Sequence, residues 1–394
     1  MEISGNEEII KEGLARLAVP KLEYYKRSDG AIEPAWMPVF YNPQAVVSRD
    51  FTIIFLKIVM RNKEFFFVDA LSGTGIRGIR IALESSGRGI VNDVDPRAHY
   101  YIKKNIELND LSSKLEAYNH EANTLLNTLV FTGVLVDYVD VDPYGSPVPY
   151  IDSALKPLGK EAYLGVTATD TGPLTCTYPR KALIRYWNKC VKLDFEKEYA
   201  ARLLISNIVL RASALEIEAT PLLTLLHKYY IRVFFRTRRS ATRAHSTVSE
   251  CIGYIWYCDK TLERGFVRNI EDLEDAKCSD GSKPIPLGKT WICSLYDQDT
   301  ISRSLAISKD TYWVSRESLK ILELINSEKD INTPYIRLDK LCAALKTNMP
   351  SITTLLSRLK EAGIKCSRTH MDPRGIKAEA DHETLSKFIL DLVR

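Results

Sequence analysis

The stretch from Phe65 to Leu108 restricts the fold most, because short apolar runs alternate there with amphipathic segments. Phe65-Phe66-Phe67-Val68 reads as a strand, Gly75 to Glu84 as a helix, Gly89-Ile90-Val91 as a second strand and Pro96 to Leu108 as a second helix. Units of this kind pair their strands in parallel, since each crossing back is made by a helix that covers the sheet. Further strands are predicted over Gly133 to Val141, Ala162 to Thr167, Tyr230 to Arg236 and Ile252 to Tyr257, with a long helix from Phe195 to Leu215. The expected class is α/β, with a Rossmann-like sheet.

A chain of 394 residues exceeds what one core comfortably supports, so a second domain is expected. The character changes after about residue 260. Leu273 to Lys289 is loop-like, and Leu338 to Leu345 and Ser351 to Ala362 read as two short helices around Asn348-Met349-Pro350. The extended Ile364-Lys365-Cys366-Ser367 follows them, which makes a winged-helix-like element within a smaller α+β domain. The boundaries predicted are 1–260 and 261–394.

Between the first strand and its helix lies Asp69-Ala70-Leu71-Ser72-Gly73-Thr74-Gly75-Ile76-Arg77-Gly78. Glycines in that turn let backbone approach a ligand closely, and the pattern suits a nicotinamide or flavin nucleotide as well as S-adenosylmethionine. Acids after the following strands narrow the choice. Asp93 can accept from both ribose hydroxyls of an adenosyl group, and Glu121 with Ala122 falls beside the adenine edge. Any one of these acids could equally be a helix cap, and Asp95 before Pro96 reads as one.

Asp142-Pro143-Tyr144-Gly145-Ser146-Pro147 follows the fourth strand, at the ligand-binding edge of such a sheet. An exocyclic base amine is a poor nucleophile until acceptors grip its protons. The Asp142 carboxylate and the Pro143 carbonyl can do so and align the amine with a sulfonium methyl, while Tyr144 can stack on the base. A base-amine methyltransferase of the class I, S-adenosylmethionine-dependent kind is therefore expected. A methyltransferase acting on a base amine of another RNA or of DNA, a nucleotide-dependent oxidoreductase and a non-catalytic RNA-binding protein remain alternatives.

These motifs occur together with Val39-Phe40-Tyr41-Asn42-Pro43, Arg49-Asp50, Thr167-Ala168-Thr169-Asp170-Thr171, Tyr199 to Leu204, Pro221-Leu222-Leu223 and Tyr229 to Val233. In this order they closely resemble the tRNA guanine-26 N2-dimethyltransferases of the Trm1 type, over most of the chain. The resemblance implies addition of one or two methyl groups to the N2 amine of guanine 26 in tRNA, with S-adenosylmethionine as donor. It matches Arg49, Arg77, Asp93, Glu121 and Ala122 to cofactor-contacting positions and Asp142 to the catalytic one. Asp69, Gly73 and Gly75 complete the predicted cofactor site, with Pro143 and Tyr144 beside Asp142, and Tyr41, Asn42 and Asp170 at the substrate. Some relatives carry paired Cys-x-x-Cys motifs for zinc. Cys258-Asp259-Lys260-Thr261 lacks the second cysteine, so no metal is expected.

The net charge of +4 permits a polyanionic partner without requiring one. Local clusters say more: Arg232, Arg236, Arg238, Arg239 and Arg243 form one basic run. Arg180, Lys181, Arg185, Lys189 and Lys192, interleaved with Tyr178, Tyr186 and Trp187, form another. The tail adds Arg358, Lys360, Lys365, Arg368, Arg374 and Lys377. Each run suits phosphate contact or a merely solvated face.

Eight cysteines without a Cys-x-x-Cys pair argue for reduced thiols rather than a disulfide framework. Only Gln44 and Gln298 represent glutamine, a bias in the heat-adapted direction. Met1 to Glu8 lacks the pattern of a leader, and the most apolar stretch, Phe51 to Met60, is too short to span a bilayer. A monomeric cytoplasmic protein with no membrane segment is expected.

Overall fold

The structure, a computed structural model, describes residues 6–61 and 63–393. Met1 to Gly5, part of the stretch read for a leader, lie outside the described residues. The first elements are a hairpin of β1 (Glu7–Glu12) and β2 (Ala15–Pro20). Its turn needs Gly13, which has φ +58°, and a Cβ there would stand 2.2 Å from Oε1 of Glu84. After it, α1 (Val46–Met60) is buried along nearly its whole length. The apolar stretch noted in the sequence is thus a core helix.

The βα units are β3 (Phe65–Asp69), α2 (Ile76–Glu84), β4 (Gly87–Asn92), α3 (Pro96–Leu108), β5 (Leu115–Tyr118), α4 (Ala122–Phe131), β6 (Val136–Val141), α5 (Val148–Leu155) and β7 (Leu158–Ala168); β3 to α3, β6 and β7 fall where they were predicted, and β5, α4 and α5 are added by the structure. Asp95 caps α3 ahead of Pro96, as read, by accepting from the Arg97 amide at 2.8 Å. β3 pairs in parallel with β4 on one side and β6 on the other. The chain winds outward through β4 and β5, then returns to the far side of β3 to lay down β6 and β7. The carboxyl ends of β3 and β6 therefore flank the point where winding reverses, which is where open α/β sheets bind ligands.

The chain continues through α6 (Thr171–Leu174), α7 (Pro179–Tyr186), α8 (Glu196–Ala214), β8 (Ile217–His227), β9 (Tyr230–Arg239), α9 (Ala241–Cys251), β10 (Ile252–Tyr257), β11 (Arg264–Val267) and β12 (Ile285–Trp291). It ends with α10 (Gln298–Lys309), α11 (Arg316–Glu328), β13 (Ile336–Arg337), α12 (Leu338–Ala344), α13 (Ile352–Glu361), β14 (Cys366–Arg368), β15 (Gly375–Ala378) and α14 (His382–Val393). The largest sheet runs β5-β4-β3-β6-β7-β9-β8. A smaller antiparallel sheet runs β11-β10-β12, and the predicted loop over Leu273 to Lys289 is corrected in its second half, which enters β12 at Ile285. Pro286 and Gly288 weaken the local strand signal, and the segment is ordered by pairing with β10 nearly thirty residues earlier in the chain. Near the end, α12 and α13 precede the β14-β15 pair, with β13 on its other side, the order of a winged helix.

Two compact units emerge. One comprises Met1–Thr167, Phe234–Arg239 and Ser302–Lys320, the other Ala168–Val233, Ser240–Ile301 and Ile321–Arg394.

The expectation of reduced thiols is overturned for six of the eight cysteines: Cys176 pairs with Cys190, Cys251 with Cys293 and Cys258 with Cys278. Cys342 and Cys366 stay free and buried. Spacing could not reveal the pairs, because tertiary structure makes them. Cys251 precedes β10 and Cys293 follows β12, and the antiparallel register that sets Ile252 opposite Trp291 brings the two together.

Candidate active site

Three acids converge at the carboxyl ends of β3 and β6. Asp69 closes β3, Asp140 lies near the end of β6, and Asp142 follows immediately after that strand. Their common partner is Arg77 in the first turn of α2, whose guanidinium pairs with Asp140 at 3.3 Å and with Oδ2 of Asp142. It also donates to Oγ1 of Thr52 at 2.7 Å and to Oγ of Ser48 at 3.3 Å. Burial opposes the charge on Arg77, but Asp140, Asp142 and Asp69 outweigh it and hold the guanidinium protonated. Asp69 has the reverse balance: burial, reinforced by Asp140, pushes its carboxyl up to about 7. It serves the turn, accepting from the Gly78 amide at 3.1 Å.

The glycine turn is shaped for close approach. Gly73 and Gly75 have φ of +56° and +81°, and a Cβ on Gly73 would lie 2.7 Å from the Phe40 carbonyl. The Gly73 amide donates to Asp93 at 2.8 Å, and burial raises the Asp93 pKa against the hydrogen bonds from Asp95 and Gly73. A half-buried carboxylate at the end of β4 beside a glycine cradle fits an adenosyl ribose. One strand further out, Glu121 is the N-cap of α4, accepting from the amides of Asn123 and Thr124 at 3.0 and 2.8 Å, and Ala122 is buried at its first position. These hydrogen bonds outweigh burial and lower the Glu121 pKa.

Asp142 keeps part of its carboxylate exposed; its Oδ2 lies on Arg77. The chain then turns at Gly145, φ +83°, and carries Tyr144 outward, 67% exposed. The Tyr144 ring meets Phe40 edge-on at 4.6 Å between centroids. The Phe40 ring is an addition that the sequence reading did not single out as a site residue.

Tyr41, Asn42 and Arg49 gather elsewhere in the same unit, around Glu12. Arg49 clamps Glu12 with two hydrogen bonds of 2.6 Å and donates to the Asn42 carbonyl at 3.0 Å. The Tyr41 hydroxyl donates to Glu12 at 3.1 Å, and Asn42 caps the short helical turn after it. Arg80, fully buried, reaches Glu12 at 3.0 Å, Asp50 at 2.9 Å and Glu84 at 3.0 Å. No sequence signal marks Glu12, which lies 68 residues from Arg80. Burial alone would raise the Glu12 pKa, but Arg49 and Arg80 prevail and bring it from 4.5 to about 2. Unfolded, the group titrates near its ordinary value, so its contribution is complete above pH 4.5 and is lost as pH falls towards 2. Acid titration followed by circular dichroism should register about 3 kcal/mol from this group, absent in Glu12→Gln.

Asp170 belongs to the other compact unit, where it accepts from Tyr186 at 2.7 Å and Arg185 at 3.1 Å, and burial raises its pKa against both partners. The basic run in β9 is largely engaged. Arg232 is fully buried, Arg238 pairs with Glu161 at 3.1 Å, and Arg239 donates to the Leu158 carbonyl at 3.1 Å. Alternate β9 side chains point into the protein, which withdraws Arg232 from any phosphate surface, while Arg243, on α9, is exposed. Among the described residues no cluster of three or more His, Cys, Asp or Glu side chains could hold a metal ion. No described helix is long and apolar enough to cross a membrane.

A parallel sheet with a glycine turn after β3, an acid after β4 and an Asp-Pro-Tyr turn after β6 defines a methyltransferase of the Rossmann-like class. Residues 15–390 match the model of a family described as N2,N2-dimethylguanosine tRNA methyltransferases. A tRNA (guanine(26)-N(2))-dimethyltransferase of Sulfolobus acidocaldarius is 34% identical over 390 residues, covering 98% of this chain and 97% of its own. The tRNA (guanine(26)-N(2)/guanine(27)-N(2))-dimethyltransferase of Aquifex aeolicus is 30% identical over 391 residues, covering 98% and 96%. The structure of Trm1 from Pyrococcus horikoshii with S-adenosyl-L-methionine superposes with a TM-score of 0.83 at 27% identity, over 97% of this chain and 99% of that one. The chain belongs to the N2,N2-dimethylguanosine tRNA methyltransferase family.

Proposed function

We propose that this enzyme methylates the exocyclic N2 amine of guanine 26 in tRNA and that Asp142 and the Pro143 carbonyl orient that amine. The observation that carries the reading is the Asp142 carboxylate, held by Arg77 at the switch point of the sheet and still partly open. S-adenosylmethionine, when bound, supplies the methyl group. Gly73, Gly75 and Asp93 would hold it, with Asp69 shaping the turn, Ala122 beside the adenine, and Arg49, Arg77 and Glu121 around them. Two acceptors on the amine protons align the nitrogen lone pair and stabilise the positive charge that develops there before a proton is lost. Tyr144 would stack on the base, with Tyr41, Asn42 and Asp170 shaping the substrate side.

The target must leave its stack before it is methylated, which gives an exposed aromatic ring beside the acceptor a direct use. We assign the chemistry to residues 1–260 and an accessory hold on tRNA to residues 261–394, working as a monomer in the cytoplasm. Three disulfides fit that compartment if the source is hyperthermophilic. Incubation with unmodified tRNA and isotope-labelled S-adenosylmethionine, followed by nucleoside mass spectrometry, is expected to yield N2-methyl- or N2,N2-dimethylguanosine at position 26. A chain that binds the cofactor and yields neither refutes the reading.

A further inference from the structure

We infer that the disulfide-closed segment Cys176–Cys190, continued to Lys192, is an RNA-binding surface that takes unstacked nucleotides of the tRNA. Residues 171–193 contain five basic residues and no acid. Arg180, Lys189 and Lys192 are exposed, and among the described residues none of them is paired with a carboxylate. In the tail most basic residues are engaged: Arg358 pairs with Glu361, Lys365 with Glu379 and Arg374 with Asp339, Lys377 is buried against Glu198, and Lys360 and Arg368 are exposed. Arg180, Lys189 and Lys192 thus form an exposed positive patch without a carboxylate partner among the described residues.

Two exposed aromatic rings lie within the patch, Tyr178, with the Lys181 ammonium 5.5 Å from its ring centroid, and Trp187. The Tyr178 ring covers Gly172, where a Cβ would come within 2.6 Å of it. Trp187 is 67% exposed, with the Arg211 guanidinium 5.1 Å from its ring. Neighbouring residues pin the segment: Asp170 holds Arg185 and Tyr186, and buried Asn188 accepts from the Tyr199 hydroxyl at 2.9 Å. The Cys176–Cys190 bond closes it at both ends. Little ordering is left to occur on binding.

Exposed ring faces interleaved with lysine and arginine are what unstacked nucleotides require, with bases on the rings and phosphates on the cations. An A-form stem keeps its bases stacked inside and offers these rings nothing. A membrane surface would answer the charge as well, but α7 has eight residues, about two turns, too short for an interfacial anchor.

The inference rests on the proposed reaction for its choice of RNA, and its test needs no turnover. Binding of an unmodified tRNA transcript is measured against salt for the wild type, Trp187→Ala, Trp187→Phe and the triple variant Arg180→Ala/Lys189→Ala/Lys192→Ala, with cofactor affinity by calorimetry as the check on folding. Trp187→Ala is expected to weaken binding about tenfold or more, with Trp187→Phe restoring most of it. The triple variant should lower the slope of log affinity against log salt by about 2. Replacing both Cys176 and Cys190 by Ser should weaken tRNA binding and leave cofactor binding intact. If tRNA affinity and slope stay within twofold of wild type in the Trp187→Ala and triple variants, the inference fails. It fails equally if anionic phosphatidylglycerol vesicles, and not tRNA, lose binding. A wild type that binds tRNA through these residues and makes no N2-methylguanosine breaks the reaction assigned above and leaves this surface standing.

Discussion

Asp142→Asn is expected to lower the rate of methyl transfer by about 10²–10³-fold, with cofactor affinity unchanged within a few fold. The substitution keeps size and shape, so a general collapse of the site is not the cause to be tested. It removes the negative charge that faces the cation developing on the amine nitrogen, and it puts an NH2 group where one of the two carboxylate oxygens stood. If that NH2 faces the base, two donors confront one another. If it faces Arg77 instead, it sets a donor against the guanidinium, which in either orientation has lost one of its charged partners. Single-turnover methylation with saturating tRNA isolates the chemical step. A variant that retains more than a tenth of the wild-type rate would remove Asp142 from the chemistry.

Arg80→Met is expected to destabilise the first compact unit by about 3–5 kcal/mol. Arg80 is fully buried and is the shared counter-ion of Glu12, Asp50 and Glu84. Asp50 also accepts from the Ser315 amide and the Ser318 hydroxyl, so it cannot swing away. Methionine fills much of the same volume but leaves buried carboxylates facing one another, with Arg49 on Glu12 as a remaining counter-ion. The thermal transition of that unit should fall by on the order of 10 °C. Because the same cluster anchors Arg49, Tyr41 and Asn42, cofactor and substrate affinities should weaken before the unit melts. An unchanged transition would mean that the carboxylates take up protons at little cost and that the cluster is not what fixes the hairpin.

The two substitutions differ in how visible their residues were. Asp142 stood in a motif at the end of a predicted strand, and its chemistry follows from residue types and from that position. Asp140 could also have been found, since it precedes Asp142 by two, near the end of that strand. Glu12 could not. It gains its importance from Arg49 and Arg80, 37 and 68 residues away, and no local pattern reports such a pairing. The β9 run shows the opposite failure: arginines dense in sequence are divided by strand alternation between the interior and local partners.

The cysteines and the basic segments carry the same lesson. Counting predicted reduced thiols, and three bonds formed because sheet register and loop closure placed distant sulfurs side by side. Three basic runs looked equivalent on paper, and only the fold showed which of their members meet carboxylates: Arg238, Arg358, Lys365, Arg374 and Arg185 do, while Arg180, Lys189 and Lys192 stay exposed.

By itself the sequence determined the parallel βα core, its glycine turn and the Asp142 turn after the fourth strand of that core, because periodicity and turn chemistry are local properties of the chain. The tertiary structure alone decided which charges face one another: Arg77 against Asp140 and Asp142, and Arg49 and Arg80 around Glu12. Those pairings arise from burial and from contacts between distant segments, and they set the orientation of each group.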